Sequence, residues 1–305
     1  MITVKSLYIY PIKACRGIPV DVAFLTSTGF KWDREWMIIN SRGKAITQRN
    51  EPRLALVDVE LPREVLTERS CCLPPDAALS LSAPGMEILR VPLSSVVQRS
   101  KVPEASVWEW TGSALDEGRE ASEWLTRYLG KAARLVRFDL DNEVRAVDAR
   151  YAPGYFTAFS DGFPILVISQ SSLETLNEKL SVPLPIGRFR PNILVQGCEP
   201  FGEDLWETFT ISDVKFHGVK LCSRCKVPTI DTETAEEGFE PLRTLGTFRA
   251  GKSFSLSKAT GSVFFGQNVV CEETRDALHH KSLSICVGAN IKVLNKYPSI
   301  TESMV

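Results

Sequence analysis

The sequence predicts an α+β protein that is mainly β, with barrel-like sheets. Three observations carry this reading. Short apolar runs with period-two alternation recur along the chain, turn residues punctuate them, and only two segments show helical periodicity. Residues 2–10 open the chain as an alternating strand, and residues 20–25 follow Gly17 as another. Residues 36–40 lead through Ser41-Arg42-Gly43-Lys44, a hairpin turn, into residues 45–48. Residues 54–61 and 87–91 continue the strand pattern, and 101–118, with Trp108 and Trp110, reads as loop-rich.

Residues 120–129 form the first helix. Ala121, Trp124, Leu125 and Tyr128 share one face, and Gly130 is placed to cap its end. Residues 171–180 form the second, with Ser171 and Glu174 at capping-box spacing and Leu173, Leu176 and Leu180 as a buried stripe. Phe163-Pro164-Ile165-Leu166-Val167-Ile168 is the longest apolar run and reads as a core strand. Strands return at 192–195, 209–211, 214–216, 262–265 and 291–294.

Composition narrows the function. The 305 residues carry a net charge of -1, so no global field points to nucleic acid or an anionic membrane. An anion site must therefore be a local cluster of cations. Apolar residues make up 44%, and no run approaches the roughly 20 residues of a membrane helix. The opening residues lack the apolar core of a secretory signal. Eight cysteines without regular spacing are not a disulfide scaffold, so a reducing, intracellular compartment with mostly buried, inert thiols is expected.

The most informative motif is the thiol pair in Leu221-Cys222-Ser223-Arg224-Cys225-Lys226. Cationic neighbours favour the thiolate, which binds metals and attacks electrophiles. Structural zinc needs four ligands, and His217, His279 and His280 are not at finger spacing. A thioredoxin-like couple wants the pair at a helix start, whereas 227–230 reads as extended. Two buried thiols is the leading reading on spacing alone. A single thiolate ligand to a soft, cofactor-borne metal is the remaining one.

Gly246-Thr247-Phe248-Arg249-Ala250-Gly251-Lys252-Ser253 fits the Walker A pattern, but no buried strand precedes it and no helical pattern follows, so it reads as a chance match. Lys13, Arg34 and Arg190 sit in turns or at the ends of apolar strands. Cations so placed tend to line a cleft, where they could bind a phosphate.

Taken together, several segments resemble one family. Tyr10-Pro11-Ile12-Lys13 with Cys15-Arg16-Gly17, Asp33-Arg34, and Thr47-Gln48-Arg49-Asn50-Glu51-Pro52-Arg53 are similar to the N-terminal β-barrel module of MOSC proteins. Phe189-Arg190-Pro191-Asn192-Ile193, the run from Cys222 to Asp231, and Phe264-Phe265-Gly266-Gln267-Asn268 resemble the MOSC domain itself. The resemblance divides the chain into an N-terminal module with a loop and helix extension over 1–130, a MOSC domain over 131–297, and a tail over 298–305. It implies a molybdenum cofactor, Mo-molybdopterin, with Cys225 as the catalytic residue and metal ligand. Lys13, Arg34, Arg190 and Asn192 fall on positions that hold the pterin and its phosphate, Ser223, Arg224 and Asn268 fall on further contact positions, and Asp161 joins them as a cofactor-binding residue.

The activity so implied is reduction of N-hydroxylated compounds, amidoximes and hydroxylamines, giving water and the reduced nitrogen. Electrons would come from a b-type cytochrome (b-five type) and its NADH-dependent reductase, in the cytoplasm or mitochondria. A cofactor carrier or sulfur-transfer module without reductase activity is the competing reading. Four features depart from the family pattern: Ala14 after the lysine, Gly162-Phe163, the turn 232–238, and the stretch 277–283.

Overall fold

The first strand, Ile2–Ile9, buries Val4, Leu7 and Ile9. The spacing changes phase because its register with Ile193–Gln196 shifts between Val4 and Ser6, a bulge that re-aims the side chains. In this computed structural model, which describes every residue except 68–72, 95–98, 255–258, 276–282 and 305, that strand closes a barrel. Seven strands run in the order Ile2–Ile9, Ile193–Gln196, Ile165–Ser169, Phe264–Cys271, Val214–Ser223, Trp206–Ile211 and Asn290–Lys296, which pairs back onto Ile2–Ile9. Strand makes up 38% of the chain and helix 19%, so the protein is mainly β as expected.

Alternation explains how the barrel is lined. Ile165 and Val167 join the large core with Trp206, Phe209, Phe216 and Val269, while Leu166 and Ile168 pack on the other side. There they meet Leu173 and Leu176 of the helix Gln170–Asn177. This helix bridges Ile165–Ser169 and Ile193–Gln196, a parallel pair that needs a crossover. It starts one residue before the expected range, and its cap is Ser169 rather than Ser171. Ser169 Oγ accepts the Ser172 N–H at 3.1 Å.

Between the first barrel strand and the other six comes an antiparallel sheet of Trp36–Asn40, Ala133–Phe138, Trp110–Asp116 and Lys101–Val107. The stretch 101–118, expected to be loop-rich, is therefore a hairpin. Its alternation is masked by a register shift between Gly112 and Ala114. The helix Arg119–Leu129 buries Ala121, Trp124, Leu125 and Tyr128, and Gly130 takes the left-handed cap at φ 67°. Three further expectations are corrected. Residues 45–48 make only a single bridge, Ile39 to Ala45. Residues 54–61 divide into a 3-10 turn, Pro52–Leu56, and a short strand, Asp58–Glu60, because the leading proline presets a helical φ. Val227–Thr229 is a 3-10 turn with Pro228 inside it, not extended chain. The Walker-like run starts within the helix Leu242–Phe248 itself, so no strand delivers it.

One buried carboxylate ties this sheet to the turn that carries Lys13. Glu117, with its side chain 1% exposed, accepts the Trp36 indole N–H at 2.7 Å, Arg137 Nε at 2.6 Å and Arg99 Nε at 2.7 Å. Trp36 in turn accepts the Lys13 N–H through its carbonyl at 2.8 Å and donates to the Pro11 carbonyl at 3.0 Å. Removing the carboxylate takes the charged partner from two largely buried guanidinium groups and the acceptor from the Trp36 indole, while the guanidinium groups keep their backbone carbonyl acceptors. Glu117→Ala should cost about 3–5 kcal/mol in urea unfolding, and a loss under about 1 kcal/mol would show the network to be idle.

Candidate functional site

Where the N-terminal sheet meets the barrel, a cleft of about 880 Å³, counted to its open mouth, collects six cationic side chains and one carboxylate. The cations are Lys13, Arg34, Arg49, Arg188, Arg190 and Arg224, and the carboxylate is Asp161. All nine residues singled out from the sequence line it: Lys13, Arg34, Asp161, Arg190, Asn192, Ser223, Arg224, Cys225 and Asn268. They come from distant parts of the chain. The turns after Ile2–Ile9 and Gly29–Phe30 bring Lys13 and Arg34, the strand Val214–Ser223 brings Cys222 and Ser223 with Arg224 and Cys225 just past its end, and Phe264–Cys271 brings Asn268.

A buried polar hub sets the geometry. Asn192, 1% exposed, accepts Arg34 Nη1 at 3.1 Å and the Leu166 N–H at 3.2 Å, and donates to Tyr8 O at 3.2 Å and Asp33 Oδ1 at 3.0 Å. Its amide is thus fully committed to the protein. Asp33, 2% exposed, also accepts the Tyr10 N–H at 2.8 Å and Arg34 Nη1 at 2.7 Å. Lys13 Nζ donates to Phe159 O at 2.8 Å and Asp161 Oδ1 at 2.5 Å. Burial pushes the Lys13 ammonium below its ordinary value, with Asp161 opposing. Asp161 itself feels the burial of its surroundings, but the Lys13 ammonium, the Trp108 indole and Arg49 pull its carboxyl well below the usual range.

The arginines are braced with a donor left over. Arg190 gives Nη1 to the Cys15 carbonyl at 2.6 Å, and Arg224 gives Nε to Phe265 O at 2.8 Å and Nη1 to Phe189 O at 2.9 Å. Arg190 Nη2, Arg224 Nη2 and Arg49 Nε are buried with no partner among the described residues. Unpaired buried donors are costly, so three in one cleft point to an anionic ligand. Both Arg34 and Arg190 lie over the Tyr10 ring, at 4.2 and 4.3 Å from its centroid. The ring holds two like charges close together without neutralising them. Burial keeps the Tyr10 phenol well above its ordinary pKa, and its hydroxyl donates to Pro191 O at 3.1 Å.

The thiols differ from the sequence expectation. Cys222 and Cys225 are both half-buried in the cleft. Burial pushes the Cys222 thiol up, with Arg224 opposing, so the cationic neighbour does not make a thiolate of it. Among the described cysteines only Cys15 and Cys271 are fully buried, and Cys286 is exposed. Cys15 is pushed up to about 12 by burial. Cys71 and Cys72 lie outside the described residues, as does all but Leu283 of the departing stretch 277–283.

Sequence reasoning passed over several cleft residues. Arg49 lies within the 47–53 motif with nothing to mark it as a contact, and nothing marks Tyr10, which lies buried behind the lining with Arg34 and Arg190 over its ring. Arg188 binds Pro228 O at 2.9 Å and Asp231 at 2.9 Å, fixing the segment that follows Cys225. Ala14 keeps its place in the lining, and its carbonyl accepts Gln48 Nε2 at 2.6 Å.

Comparison with known proteins agrees with this architecture. The MOSC N-terminal beta barrel domain matches residues 1–132, and the MOSC domain matches residues 155–292. Mitochondrial amidoxime reducing component 2 of Bos taurus is 34% identical over 273 residues, covering 87% of this chain and 77% of that protein. Mitochondrial amidoxime-reducing component 1 of Homo sapiens is 32% identical over 279 residues, covering 88% and 79%. The chain belongs to the MOSC-domain family that includes the mitochondrial amidoxime reducing components.

Two measurements follow. Titrating inorganic phosphate into the purified chain should show Tyr10→Leu binding about tenfold more weakly, with Tyr10→Phe within about threefold of the parent. Equal affinity in all three would remove the ring from the site. A thiol held above its ordinary pKa has less thiolate at a given pH, so Cys222 in a Cys225→Ser background should be alkylated more slowly than free cysteine at pH 8, with the rate rising further into the alkaline range. Mass spectrometry of the labelled peptide reads it.

Proposed function

We propose that this protein is a molybdenum-cofactor-dependent reductase of N-hydroxylated compounds such as amidoximes and hydroxylamines. The observation that supports it is the meeting of Cys225 with three unpartnered guanidinium donors in one cleft. A thiolate suits a soft metal, and spare guanidinium N–H groups suit a phosphate, so the donor set fits a metal carried by an anionic pterin. The relatives carry the name amidoxime reducing component. When bound, the cofactor supplies the two-electron chemistry that the side chains lack.

The chain's own contribution is binding and orientation. In this reading Cys225 ligates the metal. Arg190, Arg34 and Lys13 supply the positive field for the phosphate, and Arg224, fixed through two of its nitrogens, presents its third to the ligand. Ser223 and Asn268 contribute further contacts. Asn192 acts by holding Arg34 and Asp33, and Asp161 by fixing Lys13.

A small b-type cytochrome and its NADH-dependent reductase would deliver the electrons. Among the described residues no helix is long and apolar enough to cross a membrane. Residence in a cytoplasmic or mitochondrial reducing compartment goes with this reading, and the relatives are named mitochondrial.

Elemental and pterin analysis of purified protein should find molybdenum bound. Turnover of benzamidoxime with NADH, cytochrome and its reductase should vanish in Cys225→Ser, which keeps its fold by circular dichroism, and fall only a few-fold in Cys222→Ser. Delivery of the cofactor to apo-acceptors without turnover would instead identify a carrier, and full activity in both variants would refute the ligand assignment.

A further inference from the structure

Trp108 has no part in the cofactor contacts, yet the fold goes to some trouble to keep it. It is the first of two residues, with Glu109, joining Lys101–Val107 to Trp110–Asp116, whose register pairs Val107 with Trp110. Its φ is +55°, in the left-handed region. A two-residue hairpin wants Gly, Asn or Asp there, and a bulky side chain is out of place. Core packing does not compensate, because Trp108 is 48% exposed. Strain kept at a cleft without a packing reward points to function.

The indole is held on two sides. Its Nε1 donates to Asp161 Oδ1 at 3.1 Å, and the Arg49 guanidinium lies over the ring at 4.0 Å from the centroid. Both partners line the cleft. One edge is bonded and one face is covered while the residue is still 48% exposed, which leaves the opposite face as the part open to a ligand. Asp161 is similarly half used. Lys13 and Trp108 both bind Oδ1, and the side chain remains 68% exposed, which leaves Oδ2 for a ligand. Asp161 lines the same cleft as Cys222 and Cys225.

We propose that Trp108 and Asp161 form a substrate subsite at the cleft mouth for flat, conjugated N-hydroxy compounds. The π-system stacks on the open indole face, and an amino N–H, which an amidoxime carries, donates to Asp161 Oδ2. An aliphatic amidoxime keeps the hydrogen bond and loses the stacking. This rests on the reductase reading and adds the substrate class.

Trp108→Asn tests it, since Asn accepts the left-handed turn. Its Tm should hold or rise, while KM for benzamidoxime rises about five- to tenfold with kcat unchanged. KM for acetamidoxime should stay within about twofold, and Trp108→Phe should recover most of the aryl preference. Benzamidine, an unreactive flat analogue, titrated calorimetrically into the same proteins, should show the same loss. An equal KM change for both amidoximes, or benzamidine binding unaltered in Trp108→Asn, overturns the subsite. If the parent protein reduces no amidoxime, the reductase reading falls, and the benzamidine titration still decides whether the subsite exists.

Discussion

The four hydrogen bonds of one buried amide organise this protein. Asn192 joins the end of the first strand through Tyr8, the Asp33-Arg34 turn, and the strand carrying Leu166. Those three pieces belong to the barrel and to the N-terminal turn that packs on it. A buried amide that lost one of these partners would leave a costly orphan elsewhere. The hub therefore holds the barrel wall and the cleft wall in one arrangement, and Arg34 has little freedom to leave it.

Around that hub the protein concentrates positive charge in a chain that is almost neutral overall. Part of the charge is spent internally, as in Asp33 with Arg34, Asp161 with Lys13 and Asp231 with Arg188. Aromatic rings and backbone carbonyls hold the other guanidinium groups, and the Tyr10 ring also carries the paired Arg34. Tyr10 receives two guanidinium groups, Phe189 receives Arg224 at 5.5 Å, and Trp108 receives Arg49. Rings stabilise cations without cancelling their charge, so the field stays available for an anion.

Part of the backbone strain falls on the same map. Ala14, Arg34 and Arg190 line the cleft and all adopt left-handed φ, at 73°, 51° and 56°, and Trp108 at the mouth shares the feature. Such conformations persist where the surroundings over-determine them. Here the surroundings are the Asn192 hub, the carbonyl of Cys15 that receives Arg190, and the Gln48 amide on Ala14. Gly17 serves the arrangement differently: a Cβ there would come within 2.4 Å of the Tyr10 ring.

The sequence by itself determined the β-rich class, the helix closed by Gly130, and the residues of the thiol motif and its cationic companions. These are readable because alternation, capping and motif spacing are local properties of the chain. It did not reveal the hairpin over Lys101–Val107 and Trp110–Asp116, whose pattern is interrupted by a register shift, or the 3-10 turn around Pro228. The tertiary structure alone decided that Ile2–Ile9 closes the barrel, that the Cys222 thiol is raised by burial, that Arg49 and Arg188 line the cleft, and that Tyr10 backs two of its arginines. Those outcomes depend on contacts between residues as far apart in the chain as Ile2 and Ile291. Burial and the distance between charges do not exist until the chain has folded.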